Sequence, residues 1–189
     1  MPKASLERYK NVEIYMKNKD KSIDEFVMSR TSQIAHGDLR NMLTSVKNGG
    51  PVAKDSIIIG FLSAKVISFL TKKSMPVHTK AIYINAKGLS HLQRDTKKKR
   101  DAALSDSDIL EMPKVLDEPD YLLFDNKKNK LNLLYCLEKE CGKLIKIVVD
   151  TKYIHKKLGK ITLIKTAGII KLYNLNVKEY EVIEKAEGR

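Results

Sequence analysis

The chain has 189 residues, 42% of them hydrophobic and 31% charged, which is enough apolar material for a buried core and too much for an unfolded chain. Two cysteines, Cys136 and Cys141, and four scattered histidines exclude a disulfide framework and match no zinc-ligand spacing, so neither a metal nor a cofactor is expected. The formal charge of +13 points toward a polyanionic partner such as nucleic acid.

That charge is not confined to a tail: 13 basic and 7 acidic groups precede residue 78, and 23 and 16 follow it. The first eight residues lack the apolar core of a signal peptide. The most apolar stretch, Ile57 to Leu70, contains Lys65 and falls short of the roughly 20 residues a membrane span needs. A reducing, cytoplasmic setting without membrane contact is the expectation.

Helical spacing runs loosely over Leu6–Lys17. Ser22-Ile23-Asp24-Glu25 reads as a capping box for a helix ending at Gly37. Asp38 opens a short helix through Leu39, Met42, Leu43 and Val46, stopped by Asn48-Gly49-Gly50-Pro51. Asp55 is predicted to cap a long helix to Thr71, apolar almost all round and hence a core element. Ser74-Met75-Pro76 interrupts the pattern. The expected division is a helical accessory unit over residues 1–75 and an α+β domain over 76–189.

Ala81–Ile84 reads as a short strand, and Asn85 as the cap of a helix running to Arg100. Ser105-Asp106-Ser107-Asp108 opens another helix, with Pro113 bending it or starting its second half, and Pro119 beyond its end. Tyr121–Asp125 and Lys130–Leu137 make a hairpin. Leu144–Val149 is β-branched enough for a central strand. Ile161–Ala167 follows, extended past Gly168 by Ile169–Tyr173. The last stretch, from Asn176, fits either a helix or an edge strand at Tyr180-Glu181-Val182. The whole reads as helices packed on a mostly antiparallel sheet.

No Gly-rich phosphate loop, HExxH pair, nucleophile elbow or paired metal-binding acids are present. Basic and hydroxyl groups remain. His91 precedes Arg94 by three positions, which on one helix puts imidazole and guanidinium on the same face. On the late strand, alternation assigns Thr162, Ile164 and Thr166 to one side and Ile161, Leu163 and Lys165 to the other. Tyr153 and His155 are further proton-transfer candidates. Lys97, Lys98, Lys99 and Arg100, with Lys156 and Lys157, are candidates for electrostatic guidance of a polyanion, although a charge run is more often a solvated surface.

Ala81-Ile82-Tyr83-Ile84-Asn85 before the His91 helix, Pro119-Asp120 leading into Tyr121–Asp125, and Leu131–Leu137 set to pair with Leu144–Val149 together resemble the phage-encoded nuclease-like domains of the barnase–EndoU–colicin–RelE group. The resemblance covers about residues 77–173. It implies RNA cleavage without metal, with His91 in the helix position and Thr162, Lys165 and Thr166 on the late strand at the scissile phosphate. Arg94 stands where a second helix histidine would support two-histidine acid–base chemistry. Two other readings stay open: a nucleic-acid-binding module without activity, and a protein-interaction component that docks a phage protein or an inhibitor through the N-terminal helical unit.

Overall fold

The computed structural model describes residues 36–127 and 130–187. The helices expected over Leu6–Lys17 and after Ser22 lie outside the described residues. Residues 36–47 are helical (α1), and Gly49, at a φ of 64°, turns the chain out of this helix. Gly37 lies inside helical backbone and is not a stop.

The helix expected from Asp55 to Thr71 is corrected. Ser56–Phe61 is a strand (β1), and a helix, Ala64–Lys72 (α2), begins only after Ser63, whose hydroxyl accepts the Val66 amide. Three consecutive β-branched side chains, Ile57, Ile58 and Ile59, are all buried, and a pleated strand buries such a run on both faces. A helix would spread it around one turn. The apolar run thus feeds the core from two elements, through Ile57 and Ile59 of the strand and Val66 and Leu70 of the helix.

The remaining elements are β2 (Ala81–Asn85), α3 (Ala86–Leu92), α4 (Asp95–Lys98), α5 (Asp106–Asp117), β3 (Tyr121–Asp125), β4 (Asn132–Lys139), β5 (Lys143–His155), β6 (Gly159–Lys171) and β7 (Glu181–Lys185). Ser105 starts α5 with a capping box closed by Asp108, and Lys139 pairs with the buried Asp108 carboxylate. Pro113 is accommodated inside α5. The undecided last element is an edge strand, paired with β3.

Among the described residues seven strands form one sheet in the order β1-β2-β6-β5-β4-β3-β7. Every pairing is antiparallel except β2 with β6, which meet in parallel at Ile82–Thr162 and Tyr83–Leu163. The fold class is α+β, with α1, α2, α3 and α5 contributing to one core with the sheet. Leu39 and Met42 from α1, Val66 and Leu70 from α2, Leu89 and Leu92 from α3, and Ile109 and Met112 from α5 join Ile82, Ile84, Ile147 and Val149 in a single core cluster. Each such side chain contributes about 1.5–3 kcal/mol on burial. The core therefore runs continuously across Pro76. Among the described residues no helix is long and apolar enough to cross a membrane.

Candidate active site

The site is built around the end of α3. Asn85 caps this helix, its side chain accepting the Gly88 amide at 2.6 Å. After Leu92 the backbone leaves the helix at Gln93 (φ −112°, ψ 9°). The Gln93 side-chain amide donates from Nε2 to the Leu104 carbonyl at 3.1 Å and to Asp106 Oδ1 at 2.7 Å, which anchors the break to the following loop. Arg94 is extended and stands at the N-terminus of α4. The single helix expected to Arg100 is thus two helices, and His91 and Arg94 do not share a helical face. Both side chains are exposed.

The break re-aims Lys97. Its ammonium group donates to Thr166 Oγ1 at 2.9 Å and to the Ala167 carbonyl. β2 covers β6 only around Thr162 and Leu163, so the edge of β6 beyond them is taken by the segment after Arg94. There Ile169 N donates to the Ala102 carbonyl at 3.1 Å. The approach is close because residue 168 is glycine: a Cβ there would stand 2.8 Å from the Ala102 carbonyl oxygen.

A bulge in β6 sets what each side chain of the late strand can do. Thr166 pairs with Val148, but Ile164 pairs with Val149, leaving Lys165 as the extra residue. The expected alternation therefore breaks at Lys165. Ile164 and Ala167 join the core, while Lys165 and Thr166 are both exposed. Thr162 and Thr166 do not share a face.

Thr162 is fully buried and already satisfied. Its amide donates to Thr79 Oγ1 and its hydroxyl donates to the Thr79 carbonyl, each at 2.9 Å. It locks β2 to β6 and has no hydroxyl to offer a ligand. Thr162→Val is expected to destabilise the fold by about 1–3 kcal/mol through the orphaned Thr79 carbonyl, without changing activity per folded molecule. Chemical denaturation alongside an activity assay on the folded fraction checks both halves.

Lys97 is the electrostatic centre of the group. Partial burial lowers its pKa below the ordinary lysine value, and the Arg94 guanidinium lowers it further. A partly desolvated ammonium with a hydroxyl at hydrogen-bond distance and a second cation close enough to lower its pKa can receive an anion, and a phosphoryl oxygen is a group of the right chemistry. Lys98 pairs with Asp95 at 3.6 Å, while Lys99 and Arg100 are exposed to solvent.

Tyr153, His155, Lys156 and Lys157 gather elsewhere. With Asp55, Asn85 and Lys87 they line a hollow of about 340 Å³ at the start of α3. His155 Nδ1 accepts the amides of Lys157 and Leu158 at 3.2 and 3.1 Å, and its Nε2 lies 3.4 Å from Ser56 Oγ. The imidazole thus braces the β5–β6 hairpin. α3, roughly 10 Å long, separates this group from Arg94 and Lys97. Lys157 is also engaged, by Asp55 at 3.5 Å. A larger hollow, about 740 Å³, is lined by acids such as Asp108, Glu111, Glu138 and Glu140 interleaved with Lys98, Lys114, Lys139 and Lys143, so its wall is close to charge balance.

Of the predicted residues, then, the structure joins Lys97 to Thr166 with Arg94 at the start of the same short helix, places Lys165 at the adjacent bulge and His91 on the last turn of α3, and commits the Thr162 hydroxyl to Thr79. Sequence reasoning missed Thr79 and Gly168 because both act through contacts with segments distant in the chain. A family model described as phage-Barnase-EndoU-ColicinE5/D-RelE like nuclease matches residues 57–167, more than half of the chain. No curated protein and no solved structure matches.

Proposed function

This chain belongs to the phage-Barnase-EndoU-ColicinE5/D-RelE like nucleases, and on that premise we propose that it is an endoribonuclease that cleaves RNA without a metal ion in the cytoplasm of a bacterial host. The observation that carries the reading is the Arg94–Lys97–Thr166 cluster inside the family-matching segment. Its charges are all positive, an arrangement that attracts a phosphodiester and repels a divalent cation.

In this reading His91 takes the proton of a ribose 2′-hydroxyl. The 2′-oxygen attacks the adjacent phosphorus, the bond to the 5′-oxygen breaks, and that oxygen departs with a proton from water. A 2′,3′-cyclic phosphate and a free 5′-hydroxyl remain. Lys97 and Arg94 stabilise the charge that develops on the phosphoryl oxygens, and Thr166 orients them. Lys165, on the bulge beside Thr166, adds positive charge at the mouth.

The test uses the full chain, a single-stranded RNA and the same sequence as DNA, each with and without excess chelator. RNA should be cleaved to products ending in 2′,3′-cyclic phosphate, and one 2′-deoxyribose at the cleaved position should block that cut. Loss of cleavage on chelation, cleavage of the DNA, or intact RNA would each overturn the reading.

A further inference from the structure

A second cationic site lies next to this cluster, in a different part of the sheet. Arg100, Lys143, Lys146, Lys171 and Tyr173 line a hollow of about 420 Å³, with Asp101 the one acidic group at its wall. Strand register brings the lysines together. Lys139 pairs with Lys143 across β4 and β5, and Lys143 pairs with Lys171 across β5 and β6. Neighbouring strands lie about 4.8 Å apart, so three lysine positions stand in one row across the sheet.

Asp108 neutralises Lys139 at one end of that row. Lys143 and Lys171 make no ion pair among the described residues. Like charges directly opposite each other on a sheet destabilise it, so a bound anion would relieve a cost the free fold carries. Tyr173, in the turn after β6, is 77% exposed, and the Lys171 ammonium lies 5.6 Å from its ring centre. An exposed ring flanked by unpaired lysines is the arrangement that takes an unstacked base together with its phosphate.

The hollow adjoins the reactive cluster. Lys146 pairs across the strands with Gly168, and Lys97 Nζ lies 3.9 Å from the position a Cβ would occupy on that glycine. Two residues further along β6 stands Ile170, and Lys171 and Tyr173 follow.

We propose that this hollow is a subsite for a nucleotide flanking the scissile phosphate of single-stranded RNA, its base stacked on Tyr173 and its phosphate held by Lys143, Lys171 and Arg100. The proposal rests on the ribonuclease reading and adds where the rest of the strand lies. It implies that substrates long enough to reach Tyr173 are cleaved better than a dinucleotide, and that the advantage is salt-sensitive.

The experiment compares cleavage of a dinucleotide and of an eight-nucleotide RNA by the full-length chain, Tyr173→Ala, Tyr173→Phe and the double variant Lys143→Gln/Lys171→Gln. For the octamer, Tyr173→Ala should raise KM about tenfold or more while Tyr173→Phe keeps it, since any aromatic face stacks. The double variant should weaken octamer binding and lower the salt slope by about 2. Dinucleotide cleavage should stay the same in all four proteins. Unchanged octamer kinetics in both Tyr173→Ala and the double variant, with active parent protein, overturns the subsite alone. Equal losses on both substrates also overturn it. Failure of the parent to cleave either RNA overturns the ribonuclease reading beneath it.

Discussion

Lys97→Met should lower RNA cleavage by about 10²–10³-fold, the usual loss when one pre-placed donor to a developing oxyanion is removed. Methionine keeps most of the length and apolar stem of lysine, so the packing of the segment against β6 survives. What disappears is the charge and the two hydrogen bonds to Thr166 and the Ala167 carbonyl. The pH profile separates a catalytic loss from a structural one. Burial and Arg94 hold the Lys97 pKa below that of a free lysine, so the cation is lost on the alkaline side below about 10.4. The parent should show a falling alkaline limb in that range, and the variant a residual activity without it. Steady-state kinetics from pH 6 to 10, with circular dichroism to verify folding, decides. Activity within threefold of the parent would remove Lys97 from the site.

Gly168→Ala is the second large effect, and it touches no ligand. The new methyl would lie 2.8 Å from the Ala102 carbonyl oxygen, backbone against backbone, where no rotamer change relieves the overlap. The segment after Arg94 must then move off the edge of β6, losing the bond from Ile169 N to the Ala102 carbonyl. Overpacking of this kind costs about 1–3 kcal/mol. A shift of the order of 1 Å carries Lys97 away from Thr166 and should cost about 100-fold in rate. Denaturation curves and cleavage kinetics on the same preparation check the pair of losses. Wild-type kinetics would show that Lys97 acts without its present docking.

Much of the sheet was legible because its signals are local. The Asn85 and Ser105 caps, the hairpin after Tyr121 and the β-branched run in β5 all depend on neighbouring residues. The misread helix at Asp55 has a physical origin. Ile57–Ile59 and the helix after Ser63 are both apolar, so the period changes from 2 to 3.6 with a single polar residue, Ser63, to mark the switch. The site was harder still. His91 and Arg94 were expected on one helix, but the break at Gln93 depends on bonds to Leu104 and Asp106, more than ten residues on. Assigning Thr162 and Thr166 to one face assumed an unbroken strand, and the bulge at Lys165 is set by pairing with Val148 and Val149. The basic run from Lys97 to Arg100 read as one solvated surface, yet register separates Lys97 from the rest.

The parallel seam between β2 and β6 has a consequence for how the molecule reaches activity. Ile82 and Thr162 are partners across it, and Lys97 meets Thr166 across a separation of 69 residues. Closing loops of that size is entropically slow, so contacts across the seam form late in folding. The antiparallel strands from β3 to β6 have short connections and can assemble first. A chain still emerging from the ribosome before residue 166 holds both cations of the cluster but no strand for them to meet. Synthesis thus keeps the receptor unassembled until nearly the whole sheet is in place.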